Sequence, residues 1–165
     1  MTFTTSADEI VRKKTAGVIL LFTILPLSNL FHSSERWIWY IGFFLFFMLI
    51  LLYTYLHRPT QYQVDKDNII IHRPIGNVEI KTSDINRVDR IHHDLLKTAS
   101  KGGAFGYFGT FETELGRIRF YATRRDRMVM LTKHDKTKII LTPDHHEAFI
   151  EILETKASSQ HVYLQ

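Results

Sequence analysis

Five arginines fall within eleven residues, at Arg117, Arg119, Arg124, Arg125 and Arg127. Guanidinium groups at that density suit anions, because each presents paired N–H donors to a carboxylate or phosphate. Arg117 and Arg119 are two apart and share one face of a strand, while the other three surround the following turn. Beside an anionic leaflet each basic residue contributes roughly 1 kcal/mol. The competing reading is a solvated face with ion pairs to Glu112 and Glu114. Aromatics do not interleave with the basic run in a stacking pattern, which argues against nucleic acid. A second candidate is Phe105-Gly106-Tyr107-Phe108-Gly109, a bulged strand pair, an exposed recognition loop or a small-molecule site. With Gly102 and Gly103 it fits neither G-x-G-x-x-G nor the P-loop. Its glycines permit positive φ or close backbone approach, while its aromatics pack or face a partner.

His92-His93 and His145-His146 suggest metal, but adjacent side chains diverge on a strand and lie about 100° apart on a helix. The chain has no cysteine, so it offers no disulfide, thiolate zinc site or thiol nucleophile. Neither G-x-S-x-G nor H-E-x-x-H occurs. The expectation is no catalytic residue, no metal, no cofactor and no enzymatic activity.

The elements that must position these groups divide the chain in two. Residues 37–56, WIWYIGFFLFFMLILLYTYL, contain no charge. As a helix they span roughly 30 Å, the thickness of a bilayer's hydrocarbon core. Their Leu, Ile and Phe residues favour insertion by about 5 kcal/mol, and aromatics stand at both ends. A buried helix of a soluble core is the alternative. Before them, Ser6-Ala7-Asp8-Glu9 has capping-box form. Arg12-Lys13-Lys14 and the apolar run from Ala16 follow, predicting a first span over about 14–31 with Pro26 bending or ending it. A cleaved signal peptide is the rival reading, but no A-x-A-like site follows. Arg36 stands against Arg12, Lys13, Lys14 and Arg58, so the positive-inside rule puts both termini in the cytoplasm.

From Pro59 the pattern is strands: 62–64, 69–72, 78–81, a mixed segment through Ile85, Val88 and Ile91, then 117–122, 127–131 and 139–141. Residues 57–165 carry 17 Lys and Arg against 14 Asp and Glu, too small an excess to imply nucleic acid. Thr142 as N-cap and Pro143 at the first helical position predict a closing helix, with Phe149, Ile152 and Leu153 on its apolar face. Residues 158–165 read as a frayed tail. The fold expected is an antiparallel sheet or partly open barrel plugged by that helix.

Three segments carry a resemblance. They are Asp67-Asn68-Ile69-Ile70-Ile71-His72-Arg73-Pro74 with Gly76, Phe105–Gly109 with Leu115-Gly116, and Tyr121-Ala122-Thr123 through Val129–Leu131 to Pro143-Asp144 and Phe149. Over about 60–155 the chain resembles bacterial PH (pleckstrin-homology-like) domain proteins of the membrane-anchored kind, which carry a helical hairpin before the domain. The resemblance implies two N-terminal transmembrane helices, then a mostly β, α+β PH-like barrel with a C-terminal capping helix. It implies no activity, since fold alone supplies none. The expected organisation is 1–58 as a short helix and transmembrane hairpin (spans about 14–31 and 37–56), 59–157 as the PH-like domain, and 158–165 as tail. The expected function is a non-enzymatic, membrane-anchored scaffold in the bacterial cytoplasmic membrane. It docks a protein partner or copies of itself. The alternatives are recognition of anionic lipid headgroups by the arginines, or a structural subunit of a larger membrane complex.

Overall fold

The computed structural model describes residues 1–30, 37–91, 105–113 and 116–162. His92-His93, Gly102, Gly103, Glu114 and Leu115 lie outside them. Strand β1 (Thr2–Thr4) opens the chain, followed by helices α1 (Glu9–Leu30) and α2 (Trp37–His57). Strands β2 (Gln61–Val64), β3 (Asn68–His72) and β4 (Val78–Lys81) follow, then β5 (Ile85–Ile91) and β6 (Tyr107–Thr113). The chain continues through β7 (Gly116–Ala122), β8 (Met128–Lys133) and β9 (Lys138–Leu141) to α3 (His146–Val162).

Two sheets form, in the orders β1-β2-β3-β4 and β5-β8-β9-β7-β6. The strands expected from alternation are present, and two features differ from expectation. β7 and β9 run parallel, with Phe120 opposite Ile140. β1 joins the first sheet, with Phe3 opposite Tyr62. The two helices are therefore inserted between neighbouring strands of one sheet.

The shared core draws Phe3, Tyr62, Val64, Ile69, Ile71 and Ile80 from the first sheet. The second sheet adds Tyr121, Val129, Leu131, Ile139 and Leu141, and α3 adds Phe149 and Leu153. Phe3 meets Phe149 edge-on at 5.1 Å. A second cluster, including Ile91, Tyr107, Ile118, Phe120, Met128 and Ile140, takes in Val11 from the first turn of α1. That helix is thus anchored on the domain before it departs.

The capping residue is Asp8 and not Ser6: the Val11 N–H donates to Asp8 Oδ1 at 2.7 Å, whereas Ser6 Oγ donates to Asp144 Oδ1 at 2.6 Å. α3 likewise begins at His146, three residues later than the start at Pro143 that its N-cap signal implied. The Thr142 hydroxyl is occupied elsewhere, accepting from the Thr123 N–H at 3.0 Å. α3 also runs on to Val162, so most of the expected tail is helix.

Among the described residues, Ile38–His57 is the one helix long and apolar enough to cross a membrane. α1 falls short because Thr15, Thr23, Pro26, Ser28 and Asn29 interrupt its apolar run. Its Phe22 stacks on Phe47 of α2 with ring centroids 3.7 Å apart.

Candidate functional site

The turn after β7 carries three of the five arginines, and two of them are engaged internally by acidic residues or their backbone. The guanidinium of Arg124 donates to both Asp126 oxygens, at 2.6 and 2.7 Å. It also donates to Asp144 Oδ1 at 2.9 Å and to Ser6 Oγ at 3.0 Å, and its side chain is 15% exposed. Arg127 donates to the Asp144 carbonyl at 2.7 Å. Arg125 donates through Nε to the Tyr107 hydroxyl, its guanidinium 4.9 Å from that ring's centroid.

Asp144 is the hub that receives the N-terminal segment, accepting from the Thr4 hydroxyl at 2.9 Å and the Ser6 N–H at 3.1 Å. Burial works to raise its carboxyl's pKa. The Ser6 and Thr4 hydroxyls, the Ser6 N–H and Arg124 outweigh burial and hold it below the ordinary carboxylate range. Deeper in, the Tyr62 hydroxyl donates to the Tyr121 carbonyl at 2.6 Å, and burial pushes its pKa up. The turn is thus a clasp on residues 4–6. Glu112, an expected ion partner of the arginines, forms no such pair among the described residues, and Glu114 lies outside them.

The Phe105–Gly109 segment forms a corner between helices and sheet. The Phe105 N–H donates to Thr15 Oγ1 of α1 at 2.8 Å. Its ring stands edge-on to Tyr55 of α2 at 5.6 Å. Gly106 has φ +146°, and a Cβ there would lie 2.7 Å from the Ala122 carbonyl oxygen, so only glycine fits. Tyr107 is buried, Phe108 half-buried and Gly109 exposed. The strand β6 within this glycine-rich stretch was legible only as the bulged-pair alternative. Its contacts with Thr15 and Tyr55 carried no sequence signal.

Arg117 and Arg119 lie elsewhere, as do Lys136 and Lys138. With Thr110, Glu112 and Asp135 they line an open groove of about 980 Å³. Register puts the groove at the far end of the β6–β7 pair: Tyr107 faces Ala122 beside the helices, and Thr113 faces Gly116 at the opposite end. Sequence reasoning missed Lys136 and Lys138, because the turn that folds them against β7 is a tertiary feature. The structure thus divides the arginine cluster into a clasp and a groove.

His146 is mostly covered, and burial followed by the nearby Arg90 lowers its pKa. Among the described residues no three His, Cys, Asp or Glu side chains gather to hold a metal ion.

The family profile described as Bacterial PH domain matches residues 60–157, more than half of the chain. The chain belongs to the Bacterial PH domain family. The match begins one residue before β2, so β1 is a strand of the PH domain from outside the matched segment. No curated protein and no solved structure matches the chain. PH-like domains are in general non-enzymatic binding modules, which directs attention to the surface of this PH domain and not to a catalytic pocket.

Proposed function

We propose that this chain is a membrane-anchored binding module. Its two helices cross the bilayer as a hairpin and hold the PH domain at the cytoplasmic face, where it docks a protein partner or further copies of itself. The observation that carries the reading is the pairing of β1 with β2. The chain leaves the domain after Thr4 and returns to the same sheet at Gln61. A hairpin that begins and ends on one side crosses an even number of times, so if α2 spans, α1 does too. α2 has 21 residues, close to bilayer thickness at about 1.5 Å per residue, while α1, of 22 residues, starts on the domain and offers residues 15–30, about 24 Å, beyond its charged first turns. Large apolar side chains are exposed along both helices, whereas in the domain after residue 58 Ile75 is the one exposed among the described residues. The Ile75 N–H donates to the Leu56 carbonyl at 3.1 Å, so this residue stands where the helix meets the domain. Arg12, Lys13, Lys14 and Arg58 flank that end and Arg36 the other, which favours a cytoplasmic domain.

Protein docking is preferred to lipid recognition by Arg124, Arg125 and Arg127, because Arg124 is neutralised by Asp126 and Asp144. Tethering raises the effective concentration of domain and partner, so weak contacts suffice. Since the chain has no cysteine, single cysteines report sidedness. Ser34→Cys and Lys66→Cys are expected to react with an impermeant maleimide from opposite faces of sealed vesicles. Labelling of both from one face would defeat the hairpin. A protein that runs monomeric and alone after detergent extraction, at every concentration, would defeat the docking role.

A further inference from the structure

We propose that the PH domain docks head to tail on a second copy of itself, the groove around Arg117 and Arg119 receiving the acidic face of the neighbour's α3. The inference rests on the binding-module reading and names the partner.

Four cations line the groove, Arg117, Arg119, Lys136 and Lys138, against the two carboxylates Glu112 and Asp135. Among the described residues Arg117, Arg119 and Lys136 form no ion pair, whereas Lys13, Arg87, Arg90, Arg124 and Lys133 all do. The chain carries a complementary surface. Glu147, Glu151 and Glu154 are exposed, and their spacing of four and three puts them on one helix face. That face lies opposite Phe149 and Leu153, which are buried in the core. From Glu147 to Glu154 it measures about 10 Å along the axis. Glu151 and Glu154 have no ion partner among the described residues, and Glu147 has only Arg90 at 3.6 Å and His146 at 3.9 Å.

The groove and the C-terminal part of the acidic face, Glu151 and Glu154, sit on the half of the domain away from the helices, whereas Glu147 lies at the end of α3 nearer the clasp on residues 4–6. Arg117 and Arg119 are three to five residues along β7 from Ala122, about 10–17 Å. The C-terminal part of α3 is tied by Lys156 to the Asp65 and Lys66 carbonyls, at the end of β2 about 13 Å from its start beside α2. Copies anchored side by side in one bilayer would present the two surfaces at a similar depth. A lipid headgroup does not fit this position, because the groove is at the end of β7 remote from the hairpin. Exposed ion pairs contribute only about 0.2–1 kcal/mol each, so the contact depends on several acting together between tethered copies. The two patches differ, so the contact is heterologous and builds rings or rows.

The test uses the full chain in liposomes, with one pool carrying Thr137→Cys beside the groove and another Thr155→Cys one turn from Glu151, joined by a bismaleimide. The expected result is a mixed 137–155 product. Reversing either surface, R117E/R119E on the first pool or E151K/E154K on the second, should lower it about tenfold, equivalent to about 1.4 kcal/mol. Reversing both should restore it. The single substitution K136E, in an exposed turn, should lower it partly, and an unchanged circular dichroism spectrum verifies folding. No mixed product, indifference to charge, or failure of the double reversal would overturn the proposal. If R117E/R119E releases a different co-purifying protein while no self-product forms, self-docking is wrong and the binding-module reading stands. If neither product nor partner is found, both fall.

Discussion

Gly106 has no room for a side chain, and its neighbours explain the motif it belongs to. A Cβ would meet the Ala122 carbonyl at 2.7 Å with φ already at +146°. Gly106→Ala is therefore expected to cost roughly 2–4 kcal/mol, read as a lower thermal midpoint in detergent, whereas Gly76→Ala, with open space around it, should cost less. Equal losses would contradict this account. Asp144 supplies a pH signature. Its folded pKa lies below the unfolded value of about 4, so its contribution is complete above that value and is lost as pH falls through the folded one. The thermal midpoint should therefore drop on acidification below about pH 4. Arg124→Met should destabilise at neutral pH by about 2 kcal/mol and flatten the acid limb, because Asp144 then titrates nearer its unfolded value. Parallel pH profiles for the two proteins would refute that role. The density of arginines was plain in the sequence. Their division was not, because the partners that divide them, Asp144 and Ser6, come from distant parts of the chain.

β1 contains three residues, too few for alternation to register, and only Phe3 is apolar. Strands 2–4 and 7–9 were legible because each alternates or runs apolar between turn residues, whereas β5, with Ile85, Val88 and Ile91 three apart, read only as an extended segment of mixed periodicity. β6 was concealed by Gly109 within it and the glycines before it, although Gly109 pairs with Phe120 within an unbroken ladder. The start of α3 was misread because Thr142 and Asp144 make tertiary hydrogen bonds in place of capping ones. A fragment beginning at residue 59 should therefore be an incomplete domain. It loses the burial of Phe3, worth about 3–5 kcal/mol on large-to-small precedent. Joining residues 1–8 to it through a short linker should raise its thermal midpoint by several degrees. An equally stable fragment without them would show that β1 contributes nothing.

For the whole molecule, two helices of different character are held to one domain. α2 is legible from composition alone as long and apolar enough to cross a membrane, while a crossing by α1 rests on where its ends are fixed. Leu20 of α1 is 61% exposed, and Leu20→Lys should cost about 3 kcal/mol or more on insertion. The carbonate-resistant membrane fraction should fall accordingly; an unchanged fraction would mean that α1 does not enter the hydrocarbon. The pairing of Thr2–Thr4 with Gln61–Val64 also bears on biogenesis. During synthesis the first strand leaves the ribosome more than fifty residues before its neighbour, and on the proposed topology the hairpin is threaded into the bilayer in between. A nascent chain that integrates only one helix strands its amino terminus on the wrong side, and the sheet can never close. Correct topology is thereby a precondition for a finished domain, and misinserted copies would be exposed to quality-control proteases.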